Sequence, residues 1–112
     1  MLFRSPAVEV ETLLAFGASE SPSDTDLYRA ISSSIRAEDP NALFVPTVLA
    51  GFTDSHFFRD LGIVSYGFSP FLMQSPDYSG VHGNDERIPV TAMKEGTQLL
   101  YRIVRSFCIT QP

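Results

Sequence analysis

The run VTAMKEGTQLLYRIVRSFC (90–108) constrains the rest of the chain more than any other segment. Met93, Leu100, Ile103, Val104 and Phe107 recur at helical spacing, and an apolar stripe on a helix of that length has to be buried against a second layer.

Three segments have the pattern to supply that layer. AVEVETLLAF (7–16) alternates Val8, Glu9, Val10 and Glu11, the period of a half-buried strand. LFVPTVLAG (43–51) is rich in β-formers, and Pro46 suggests an edge or entry position. IVSYGF (63–68) reads as a short buried strand. Helical patterns lie between them. From Asp24 to about residue 37, Leu27, Ala30, Ile31, Ser34 and Ile35 share one face, with Ser23 as N-cap, and Asp24 and Asp26 suit the positive end of the helix. TDSHFFRDLG (53–62) predicts a short helix with Thr53 as N-cap and Gly62 as its stop. Strand and helix alternate, so the expected class is α/β. GASESPSD (17–24) marks a boundary near the start, and 69–89 reads as one long loop of the kind that carries function.

Composition narrows the function classes. A chain of 112 residues with 44% hydrophobic and 19% charged residues is one globular domain in size and content. Its net charge of −5 argues against nucleic acid, which selects clustered lysine and arginine. Cys108 is the single cysteine, so no intrachain disulfide framework exists, and it reads as a core thiol. No apolar run approaches the roughly 20 residues of a membrane span, and MLFRSPAVEV lacks the apolar centre of a signal peptide. A cytoplasmic protein with no membrane partner is expected. Gly67-Phe68-Ser69-Pro70-Phe71 opens like a nucleophile elbow but lacks the closing glycine, and Pro70 removes the N–H an oxyanion needs. No phosphate-binding loop, dinucleotide fingerprint or paired cysteines are present.

The residues with chemistry left to offer are few. In GVHGNDERIPV (80–90), His82 lies between two glycines that let backbone approach closely, and Asp85 or Glu86 could fix its ring tautomer. Spacing alone leaves open a metal ligand or a loop histidine bonded to a neighbouring carboxylate. His56, near a helix start where positive charge is disfavoured, reads as a structural or substrate-facing imidazole. GFTDS (51–55) places a glycine, a hydroxyl and a carboxylate at a strand-to-helix junction, where helix N–H groups can hold an anion or Thr53 can simply cap.

Taken in order, VPTVLAGFTDSHFFRDLGIVSYGFSPF, a proline-containing loop, GVHGNDERIPV and a closing amphipathic helix resemble the C-terminal part of the dinuclear zinc exopeptidase and aminoacylase family. That family includes carboxypeptidase S, acetylornithine deacetylase and succinyl-diaminopimelate desuccinylase. The resemblance covers nearly the whole chain. It implies part of a three-layer αβα catalytic domain at 18–112, preceded at 1–17 by the last strand of a lid and dimerisation domain. It further implies that His82 is a zinc ligand, that Asp85 and Glu86 support it, and that Thr53, Asp54 and Ser55 line the substrate cleft. The activity so implied is hydrolysis of a peptide or N-acyl amino acid bond by water activated between two zinc ions about 3.5–4 Å apart. The family's glutamate base, bridging aspartate and remaining ligands have no match here, so the chain is expected to be a C-terminal fragment, inactive alone. The alternative is a non-catalytic remnant that associates with itself, since an orphaned half-sheet leaves edges and a helix-docking face uncovered. A homo-oligomer is expected in either case. A zinc site shared between copies through His82 and Asp85 is a third, weaker reading.

Overall fold

The structure, a computed structural model, describes residues 11–13, 15–49, 51–74 and 80–109. Three helices form: α1 (Asp26–Glu38), α2 (Ser55–Asp60) and α3 (Val90–Ile109).

Helix α1 begins where a side chain can satisfy its first free amides. Thr25, in extended conformation, accepts the Tyr28 N–H on its Oγ1 at 3.1 Å, so the cap is Thr25 and not Ser23. The same hydroxyl meets Tyr66 Oη at 2.6 Å, which ties the helix start to the segment after α2. Replacing Thr25 with alanine removes both bonds, and the expected loss is about 1–2 kcal/mol, read as a lower urea midpoint at unchanged slope.

At α2 the N-cap position is Asp54, with helical backbone and no capping bond from its side chain. Thr53 contributes its carbonyl, which accepts the His56 N–H at 3.2 Å; the expected Thr53 hydroxyl cap does not form. The helix stops at Gly62 as its sequence implies. Gly62 adopts φ +76°, its N–H reaches the Arg59 carbonyl at 2.8 Å, and the Ile63 N–H reaches back to Phe58 at 2.9 Å. This is the paired-bond helix ending that a left-handed glycine permits.

Helices α1 and α3 pack on each other, and the Glu38 carboxylate pairs with the Arg102 guanidinium across the contact. Ile31 of α1 and Ala92 and Ile103 of α3 are the buried hydrophobic residues among those described. The buried line on α3 runs through Ala92, Gly96 and Ile103, with Leu99 and Phe107 half-buried beside it. Met93, Leu100 and Val104, assigned to the same face by periodicity, lie on the exposed side. Cys108 is also exposed, which corrects its reading as a core thiol.

The α/β expectation holds for the helices and fails for the sheet. Among the described residues there is no strand: 42–49 and 63–74 run without turn or bend, yet neither enters a ladder. The strand expected at 7–16 lies outside the described residues at 7–10 and 14, and its described remainder is unpaired. A ladder needs a second edge at strand spacing, and no described segment supplies one to 43–49. The three-layer αβα arrangement is therefore not formed by these residues. Leu43, Val48, Leu61 and Leu72 are each more than three-quarters exposed.

Candidate functional site

The GVHG stretch folds as a tight turn in which the Gly83 N–H donates to the Gly80 carbonyl at 2.9 Å. His82 occupies its third position at φ +61° and is exposed. It is the only non-glycine residue at positive φ among those described. The glycines on either side are there for close approach. A Cβ on Gly80 would stand 3.0 Å from the Asp85 carbonyl oxygen, and one on Gly83 would stand 3.1 Å from the Gly80 carbonyl oxygen. The loop thus closes on itself and presents the imidazole outward. Asp85 and Glu86 are exposed, and neither hydrogen-bonds the His82 ring, so the tautomer-fixing contact expected from sequence is not made within this chain.

Thr53, Asp54 and Ser55 sit at the entry of α2. Ser55 Oγ accepts from Ser65 Oγ at 2.9 Å, which engages it internally, while the Asp54 carboxylate is exposed and uncommitted to the helix end. None of the three hydrogen-bonds His82, Asp85 or Glu86. Two separate candidate clusters result, one at the helix entry and one on the GVHG turn.

A groove lies beside the α2 entry. At about 970 Å³, it is lined by Thr53, His56 and Arg59, by 44–49 and 65–69, and by Tyr28 and Ile31 of α1. Its apolar wall is aromatic: Phe16 stacks on Phe52 at 4.8 Å and meets the His56 ring edge-on at 4.6 Å, and Tyr28 packs on Phe44 at 4.9 Å. Part of its polar lining is already engaged. Arg59 donates to Ser19 Oγ at 2.9 Å and to the Ser65 carbonyl at 3.0 Å, and Ser21 Oγ both accepts from and donates to the Ser65 backbone. His56 Nε2 lies 3.1 Å from Asp60 Oδ2, one helical turn on, which supports its structural reading. Arg59 and Ser65 were invisible to motif reasoning because their partners lie 40 and 44 residues away in sequence.

Comparison with known proteins bears on which of these features matters. No family model matches the chain. Over 89 residues, 77% of its length, it is 28% identical to N-fatty-acyl-amino acid synthase/hydrolase PM20D1 of Homo sapiens. Over 79 residues, 70% of its length, it is 24% identical to Probable carboxypeptidase S-like 2 of Dictyostelium discoideum. Over this span the chain is similar to an N-fatty-acyl-amino acid synthase/hydrolase and to a carboxypeptidase S-like protein, which supports the resemblance read from its motifs. The match spans 18% of the human relative and 15% of the Dictyostelium one, so the chain corresponds to a small part of either.

Zinc, which the sequence resemblance implies, can be tested against the residues present. Among the described residues no three His, Cys, Asp or Glu side chains converge to hold a metal ion. One exposed imidazole falls short of the three or four protein ligands a zinc site needs, so this chain's residues do not by themselves fit the ion. Among the described residues no helix is long and apolar enough to cross a membrane.

Proposed function

We propose that the chain is the C-terminal portion of a zinc-dependent metallopeptidase or N-acyl amino acid amidohydrolase. In this reading His82 is its one contribution to the metal set. Asp85 and Glu86 support the loop, and Thr53, Asp54 and Ser55 form part of the cleft wall that faces a peptide or N-acyl amino acid substrate. The names of the relatives, a fatty-acyl-amino acid hydrolase and a carboxypeptidase S-like protein, point to that reaction class. The observation that carries the reading is the backbone of His82. A β-carbon at positive φ is disfavoured by roughly 1–2 kcal/mol, Gly83 follows directly and Gly80 lies two residues before, and a third glycine at 82 would relieve the cost. A histidine at that position is best accounted for by its imidazole, the inference running from the strained residue to the function.

The isolated chain is expected to hydrolyse neither a C-terminal dipeptide bond nor an N-acyl amino acid. The reading is tested in a chimera in which the matched 89-residue segment of the human relative is exchanged for the corresponding part of this chain. Hydrolysis of an N-acyl amino acid by that folded chimera supports the proposal. A folded, zinc-loaded chimera with no hydrolysis of N-acyl amino acids or peptides overturns it.

A further inference from the structure

Ser65 belongs to no sequence motif, yet its N–H, carbonyl and hydroxyl are all engaged. The N–H donates to Ser21 Oγ at 3.0 Å, the carbonyl accepts from Ser21 Oγ and from Arg59 Nη1 at 3.0 Å each, and the hydroxyl donates to Ser55 Oγ at 2.9 Å. The bonds to Ser21 and Arg59 use the backbone of residue 65 and survive any side chain there. The bond to Ser55 depends on the hydroxyl alone, and it is the one that reaches the α2 entry.

That entry has little else to fix it. Helix α2 is six residues long and buries none of them, so packing does not set its direction. Hydrogen bonds at its two ends do. Arg59, in the last turn, ties that end to the Ser65 carbonyl and to Ser19 Oγ, while Ser55 ties the first turn to the Ser65 hydroxyl. The sense of the Ser65–Ser55 bond has a chemical consequence. A hydroxyl offers one proton and two lone pairs. Ser55 Oγ gives a lone pair to Ser65, and its own proton meets no acceptor among the described residues. A hydroxyl that already accepts is a stronger donor, because bonds in a chain polarise one another.

We infer that Ser65 is a positioning residue: its hydroxyl orients that of Ser55 so that the Ser55 O–H donates to an acceptor oxygen of the peptide or N-acyl amino acid substrate. Resting on the reading of 53–55 as cleft wall, this role adds a residue that touches no substrate atom and acts through Ser55.

Two measurements separate the role from the reading beneath it. In the full chain, Ser65→Ala removes the hydroxyl bond and leaves the backbone bonds to Ser21 and Arg59 in place. The His56 and Phe57 amides, which close on the Thr53 and Asp54 carbonyls, are expected to exchange about threefold faster or more, with α3 unchanged. Ser65→Thr keeps a hydroxyl on an extended segment that suits a β-branched residue, and is expected to restore the rate. In the active chimera, Ser65→Ala is expected to raise KM about three- to tenfold with kcat within about twofold, the effect of one hydrogen bond lost from binding, and Ser65→Thr to return KM to the parent value. In a Ser55→Ala background Ser65→Ala should then add nothing to KM. Unchanged exchange in the full chain overturns the role and leaves the hydrolase reading standing. So does an active chimera whose KM ignores Ser65→Ala, or in which the two substitutions add. A folded, zinc-loaded chimera that is inactive with Ser65 intact overturns the reading, and the role with it.

Discussion

In the active chimera, His82→Ala is expected to lower kcat/KM by well over 100-fold and to reduce bound zinc below two ions per chain, with the helical signal intact. Loss of a residue that only supports a metal ligand costs about 10–100-fold, and removal of a ligand itself should exceed that. The backbone supplies a second readout with the opposite sign. His82 sits at φ +61°, a region an L-residue enters at a cost of roughly 1–2 kcal/mol and glycine enters freely. In the isolated chain His82→Gly is therefore expected to raise stability by about 1 kcal/mol, offset in part by the extra freedom glycine gives the unfolded state. The pair of results, greater stability with lost metal and activity, identifies a position where function holds a strained residue in place. A purely structural histidine gives the reverse: lower stability on His82→Gly and full activity in the chimera.

That turn also shows what could be read in advance and what could not. Glycines around a histidine were visible in the string and were read as letting backbone approach a site; the contacts of 3.0 Å and 3.1 Å at the positions of the missing β-carbons are instead with the loop's own backbone. The positive φ of the histidine itself is a property of a closed loop and leaves no local signature. Helices were legible for the same local reason: α3 starts at Val90 as its periodicity implies, and Gly62 ends α2. The cap of α1 moved from Ser23 to Thr25, whose hydroxyl accepts the Tyr28 N–H and also meets Tyr66 Oη. What periodicity could not settle was which side of α3 would be covered. A stripe of large apolar residues selects Met93, Leu100 and Val104, whereas the contact surface was chosen by fit and runs through the small residues Ala92 and Gly96. The strands failed for the plainest reason. Their pattern describes an affinity for a neighbouring edge, and 43–49 meets none among the described residues. Of the proposed site residues, the sequence named their positions but not their separation into two clusters, which depends on contacts distant in the chain.

Gly96 carries the largest stability effect expected from a single substitution. It lies mid-helix, where glycine costs about 1 kcal/mol relative to alanine, and it is buried. A β-carbon built there would stand 2.4 Å from Phe71 Cδ1, 2.9 Å from Cε1 and 3.0 Å from the Pro70 carbonyl oxygen. The segment 70–71 thus seats directly on the α3 backbone, and any side chain at 96 must push it off. Gly96→Val is expected to cost about 1–3 kcal/mol or more, since forced overpacking is joined by the poor helix propensity of a β-branched residue. Gly96→Ala sets two effects against each other, a gain of about 1 kcal/mol in propensity and the clash with the Phe71 ring, and the clash at 2.4 Å should win. The sign is then controlled by Phe71. In a Phe71→Ala background the ring is gone, the Pro70 oxygen needs to yield only a few tenths of an ångström, and Gly96→Ala is expected to become stabilising. A double-mutant cycle by urea unfolding measures that reversal as a coupling energy between 71 and 96. Independence of the two substitutions would mean that the ring does not rest on the helix, and that the 70–71 segment is held to α3 by something other than the missing side chain.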